Sequence, residues 1–179
     1  MRLGKQELTN SLNRFGKVVV KESKTALTKK SKNDTKGLYN SIQYKLKISK
    51  NSFQLEFLMD DYGKFVDKGV RGKNSSLKAP TSPFRFGKSS GSGRKKGGLS
   101  DSIETYVNRK RIQFRDRKTG RFMTFKQTAS LISSSIYNKG LKTTNFFTKP
   151  FTAAFERLPE QLVNNYSLEV DKLLKQALK

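Results

Sequence analysis

Two runs of alternating residues, joined by three turn formers, constrain this chain more than any other feature. Ile42, Tyr44, Leu46 and Ile48 alternate with Gln43, Lys45 and Lys47, while Phe53, Leu55, Phe57 and Met59 alternate with Gln54 and Glu56. Successive side chains on extended backbone point to opposite faces, so each run carries one apolar and one charged face. Ser49 to Asn51 supplies the turn, and the pair reads as an antiparallel β-hairpin. A two-stranded hairpin is not stable alone in water, so its apolar face must pack on helices. The expected fold class is therefore α+β.

The helices that could cover it are marked on both sides. From Gly4 to about Lys30, Leu8, Leu12, Phe15, Val19 and Ala26 recur at helical spacing, predicting one long N-terminal amphipathic helix. Lys29 to Gly37 has no apolar side chain, and a basic exposed loop is expected there. Asp61 to Lys68 suits either a helical turn or an edge strand, ended by Gly69. Asp101 with Glu104 reads as a capping box ahead of Ile103, Tyr106 and Val107, predicting a helix of about three turns. Thr124 with Gln127 is a second capping box; Ala129, Ile132 and Ile136 continue it, and Gly140 suits its end, predicting a helix over Phe125 to Lys139. Pro150 fits a first helical position after Thr148, and Leu162, Val163, Tyr166, Val170, Leu173 and Leu174 predict a C-terminal helix.

With 179 residues the chain has the size of one domain. A single α+β domain over 1–179 is expected, with 70–141 as an insertion-like basic region. That region divides into a flexible loop over 70–100, a helix, a second hairpin and a further helix. The loop reading rests on composition: Lys68 to Ser100 contains no acidic residue and is rich in Gly, Ser, Lys and Arg. The second hairpin would pair Ile112 to Phe114 with Phe122 to Phe125, and Gly120 can supply the positive dihedral of its turn.

Charge decides what partners to expect. Lys and Arg total 38 against 14 Asp and Glu, a formal net charge of +24. The field of such a chain attracts polyanions, of which nucleic acid is the natural one and an anionic membrane surface the competitor. Cys and His are both missing from the sequence, which removes thiolate and imidazole chemistry, whether nucleophilic, general-base or metal-ligating. Gly87-Lys88-Ser89 ends like a phosphate-binding loop, but the earlier glycine of that pattern would fall on Ser82. Asp60 and Asp61 are adjacent and diverge on extended backbone, a poor scaffold for two metals or a carboxylate pair. No enzymatic activity, cofactor or small-molecule substrate is expected. Met1 to Asn10 is polar and nowhere do 18 apolar residues run together, so neither a secretory leader nor a membrane span is expected.

The candidate contact residues are cations. Arg109, Lys110, Arg111, Arg115, Arg117, Lys118 and Arg121 crowd together with Asp116 as the one acid among them, and Arg94, Lys95 and Lys96 form a smaller run upstream. Phe114 and Phe122 lie within the larger cluster. Rings alternating in a hairpin are read as core, leaving the cations to meet phosphate without sequence preference. An acidic protein surface is an alternative target for the same cations.

Three short segments carry a resemblance: Asp34-Thr35-Lys36-Gly37-Leu38-Tyr39-Asn40-Ser41-Ile42, then Tyr62-Gly63-Lys64-Phe65-Val66-Asp67-Lys68-Gly69, then Thr144-Asn145-Phe146-Phe147-Thr148-Lys149-Pro150-Phe151. In that order they resemble the tail-completion, or head-tail connector, proteins of tailed bacteriophages, which include minor tail proteins of the Z type. The resemblance covers both ends of the chain and leaves Val70 to about Leu141 outside it. It implies a long first helix, a hairpin, a tyrosine-containing segment closing on glycine, and a proline-phenylalanine step into the last helix. The implied role is a structural virion protein, assembled in the host cytoplasm. It would be one subunit of a homo-oligomeric ring at the neck, between portal-side connector and tail tube, around the path of the genome. No catalytic residues belong to that role, and no membrane is involved. The rival readings are a free, sequence-nonspecific nucleic-acid-binding protein and a nuclease-like enzyme.

Overall fold

The computed structural model describes residues 3–30, 34–49, 52–87, 98–158 and 160. The fold is α+β. In chain order its elements are α1 (Leu3–Lys29), α2 (Gly37–Ser41), β1 (Gln43–Ile48), β2 (Phe53–Leu58), α3 (Gly63–Lys68), β3 (Val70–Arg71), α4 (Leu99–Lys110), α5 (Phe125–Lys139) and β4 (Gly140–Leu141), followed by a helix, α6, over 148–158. The chain divides into two compact units. One combines Met1–Gly63 with the chain from Asn145, and the other is Lys64–Thr144. The region read as an insertion over 70–141 thus corresponds to a unit of its own that also takes in most of α3.

The first unit is built on the expected hairpin. β1 and β2 pair antiparallel with Tyr44 opposite Phe57, Leu46 opposite Leu55 and Ile48 opposite Phe53, and Ser49 N donates to Ser52 O across the turn. Phe15 and Val19 of α1 are buried with Leu158 of α6, and Leu12, Leu55, Phe57, Phe147 and Phe151 pack against them. The rings meet edge to face: Phe15 lies 6.0 Å from Phe57 and 5.8 Å from Phe151, and Phe57 lies 5.5 Å from Phe147. Burying each such side chain is worth about 1.5–3 kcal/mol, and edge-to-face pairing adds about 1 kcal/mol per pair. The α1 stripe differs from its sequence reading at one end, where Leu27 is fully buried and Ala26 is only half-buried. Ile48 stays 44% exposed at the turn end of β1, outside the ring cluster. On the polar face the Lys47–Glu56 pair at 3.0 Å contributes below ~1 kcal/mol, as exposed ion pairs do.

Helix α6 begins two residues before Pro150. The proline therefore sits in the first turn, where backbone N–H groups have no partner within the helix and its missing donor costs little. The predicted continuation through Leu162 to Leu174 lies outside the described residues.

The second unit is held by backbone pairing between distant segments. β3 pairs with β4, Val70 opposite Leu141 and Arg71 opposite Gly140. Arg71 N donates to Phe84 O and Phe86 N donates back to Arg71 O, tying 84–86 alongside. Lys73 N and Asn74 N donate to the carbonyls of Tyr137 and Asn138, at 2.9 and 3.1 Å. Those carbonyls belong to the last turn of α5, where helical geometry leaves acceptors without donors. Buried Ser82 donates its hydroxyl to Gly69 O at 2.7 Å and accepts from Phe84 N. Residues 70–87 thus carry a short strand and an irregular segment tied down by hydrogen bonds; 88–97 lie outside the described residues.

Helices α4 and α5 complete this unit, with Val107 and Ala129 buried. The Thr124–Gln127 capping box forms as expected, Gln127 N donating to Thr124 Oγ1 and Thr124 N to Gln127 Oε1. The Asp101–Glu104 box does not. Gly98 takes the cap position, which puts Asp101 in the first turn of α4, where its charge faces the positive end of the helix dipole.

Candidate nucleic-acid interface

The cations singled out from sequence sit where α4 ends and a narrow ribbon begins. Arg109 and Lys110 occupy the last turn of α4, where positive charge is favoured by the helix dipole, and Arg111 caps it in left-handed conformation at φ 52°. The expected second hairpin narrows to one antiparallel bridge, Arg115 opposite Phe122. Met123 N donates to Phe114 O on one side of it and Asp116 N to Arg121 O on the other. Arg117 and Lys118 lie in the turn, Gly120 supplies its positive φ of 68°, and Arg121 follows. All seven cations of the cluster are exposed. Arg94, Lys95 and Lys96 lie outside the described residues.

Asp116, the acid among them, is spent on the turn. Its carboxylate accepts from Lys118 N and Thr119 N at 2.8 Å each and from the Thr119 hydroxyl at 3.2 Å. The N–H donors of Thr119 and then Lys118 favour the ionised form and hold this carboxyl below the usual carboxylate range. A lowered folded pKa means the turn gains from the ionised form above the ordinary carboxylate value and loses that gain as pH falls through the lowered one. In an NMR titration, the Lys118 and Thr119 amide resonances should therefore move with a midpoint below that of an ordinary aspartate. A midpoint at or above the ordinary value would contradict the turn geometry.

The rings correct the sequence reading. Phe122 is 61% exposed and Phe114 is 42% exposed, so neither is core. A ribbon reduced to one bridge has no second layer to bury them. The Arg115 guanidinium lies 4.5 Å from the Phe122 ring centre, which pre-orients that cation for about 0.5–1 kcal/mol. Phe122, Met123 and half-exposed Leu131 line a groove of about 450 Å³ together with Arg121 and Gln127. Among the described residues, Arg111, Arg115, Arg117, Lys118 and Arg121 have no carboxylate within ion-pair distance.

Two of the three segments that carry the resemblance hold the points where the chain passes from one unit to the other. Leu38 packs on Gly63, and the Tyr62 hydroxyl meets the Leu38 backbone and Asp60; burial first, and Asp60 second, push the Tyr62 phenol above its ordinary pKa. Within the other unit, Thr144 N donates to Asp67 O, and the Thr144 and Thr143 hydroxyls donate to Val66 O and Lys68 O at 2.6 and 2.8 Å. The chain passes between units after Gly63 and after Thr144, inside the second and third segments. Ser41 ends α2, its hydroxyl donating to Leu38 O and accepting from Asp60 N.

A second group of cations, Lys17, Lys21 and Lys24 on α1, was not singled out from sequence, although their i, i+4, i+7 spacing is a legible signal. Among the described residues, no group of three or more acidic side chains is placed to hold a metal ion, and no helix is long and apolar enough to cross a membrane. Comparison with protein-family models, with curated proteins and with solved structures gives no match.

Proposed function

We propose that this chain is a structural subunit of the neck of a tailed bacteriophage, assembling into a ring around the DNA path and touching nucleic acid without sequence preference. The observation that carries the nucleic-acid part is the turn at Asp116. Its carboxylate is consumed by its own backbone, which leaves Arg115, Arg117, Lys118 and Arg121 exposed and uncompensated among the described residues. Cations presented that way neutralise phosphate by counterion release and read no bases. The ring part is supported by the three segments that resemble tail-completion proteins, and by the order of long helix, hairpin, segment closing on Gly69 and a helix at Pro150, which follows the order the resemblance implies. A closed ring needs two different faces of each subunit to meet.

Light scattering on the purified protein at low and high salt, with negative-stain images of any large species, tests this reading. Closed rings are the expected result. A monomer at both salt concentrations that still retards short DNA fragments would replace it with the free nucleic-acid-binding reading, which the exposed Phe122 with its stacked Arg115 also suits.

A further inference from the structure

We infer that the lysine face of α1 is a second phosphate-binding surface, carried by the other unit from the Arg109–Arg121 cluster, and that it takes the backbone of duplex DNA. This deepens the nucleic-acid part of the proposed function and rests on it. Lys17, Lys21 and Lys24 fall on one side of the helix and line, with Tyr39 and Tyr44, a groove of about 750 Å³ that no carboxylate borders among the described residues. Lys17 and Lys21 are exposed; Lys24 is half-buried, its ammonium 5.1 Å from the Tyr39 ring centre. Glu22, in the middle of the same helix stretch, turns instead to a different groove, with Arg14 and Lys29.

Like charges at i, i+4 destabilise a helix by a few tenths of a kcal/mol, and among the described residues no carboxylate lies within ion-pair distance of these lysines. A polyanion would offset that repulsion. From Lys17 to Lys24 the helix advances about 10 Å, at 1.5 Å per residue. Over that length a duplex presents roughly six phosphate charges, one per 1.7 Å of its axis. The Tyr44 hydroxyl is engaged with Asn13 Oδ1 at 3.2 Å and fixes one wall, while the Tyr39 hydroxyl makes no hydrogen bond within the described residues and adds a neutral donor. A row of ammonium groups beside a single phenol donor contains nothing that distinguishes one base pair from another, so the contact is to backbone only.

The test is fluorescence anisotropy with a labelled 30-base-pair duplex between 50 and 200 mM salt. It compares the wild-type protein with Lys17→Gln/Lys21→Gln/Lys24→Gln and with Arg115→Gln/Arg117→Gln/Arg121→Gln. Each triple variant should make the slope of log affinity against log salt shallower by about 2–3, since each phosphate contact contributes about 0.9. The lysine variant should bind at least ~10-fold more weakly at 50 mM salt. Lysine and glutamine have similar helix propensity, so the fold should survive. The triple Lys→Arg variant, which keeps the charge, should keep the slope. A lysine variant with the wild-type slope, beside an arginine variant that loses it, overturns this inference and leaves the proposed function standing. A wild-type protein that ignores the duplex overturns both, as does one that binds only phosphatidylserine-containing vesicles.

Discussion

Gly140→Ala is expected to destabilise the Lys64–Thr144 unit by about 2–6 kcal/mol. Gly140 has φ 82° and ψ 178°, a region essentially closed to residues with a side chain, and forcing one there costs about 1–3 kcal/mol. The added Cβ would also lie 2.3 Å from Val70 O and 2.6 Å from Gly72 N, so β3 would have to leave β4. Overpacking adds about 1–3 kcal/mol. Gly72→Ala tests the same joint from the other strand, because its Cβ would come within 2.1 Å of the Asn138 carbonyl oxygen. That approach is what lets Lys73 and Asn74 reach the end of α5. Against a typical total of 5–15 kcal/mol, either loss is large. Urea unfolding followed by circular dichroism measures it. A Gly140→Ala protein within about 1 kcal/mol of wild type would mean that β3 and β4 are not the clasp of this unit.

Phe15→Ala should cost about 3–5 kcal/mol, the usual range for emptying a buried phenylalanine site. Phe15 is 6% exposed and its ring touches three others, Phe57, Phe151 and Phe155, so its removal leaves α1, the hairpin and α6 facing one cavity. Val18, on the same helix but 43% exposed, supplies the control, and Val18→Ala should shift stability by no more than about 0.5 kcal/mol. Equal midpoints for the two variants in the same denaturation experiment would refute the placement of the ring cluster.

The candidate interface was legible in part. The cations of 109–121 are found by counting, because a run of charge that no acid interrupts needs no partner to be recognised. The state of Phe114 and Phe122 was not, because alternation reports which residues share a face and not whether anything covers that face. The two-sidedness of Asp116 was equally hidden: as a residue type it is a countercharge, and only the turn makes it an acceptor for its own backbone.

Where signals are local, the sequence by itself determined the structure. The α5 helix starts at its Thr124–Gln127 box and ends at Gly140, and the β1–β2 hairpin pairs about its turn, since each is decided by residues a few positions apart. Tertiary structure alone decided the rest. Residues 70–87 have the composition of a loop and are tied down because their hydrogen-bond partners lie far along the chain, as Asn74 and Asn138 do, 64 residues apart. The Asp101–Glu104 box resembles the one at Thr124, yet α4 starts earlier, at Leu99, because a cap acts only where the capping residue itself is extended, as Gly98 is and Asp101, inside the helix, is not. Side-chain pattern is a short-range record, and backbone partners across such separations leave no trace in it.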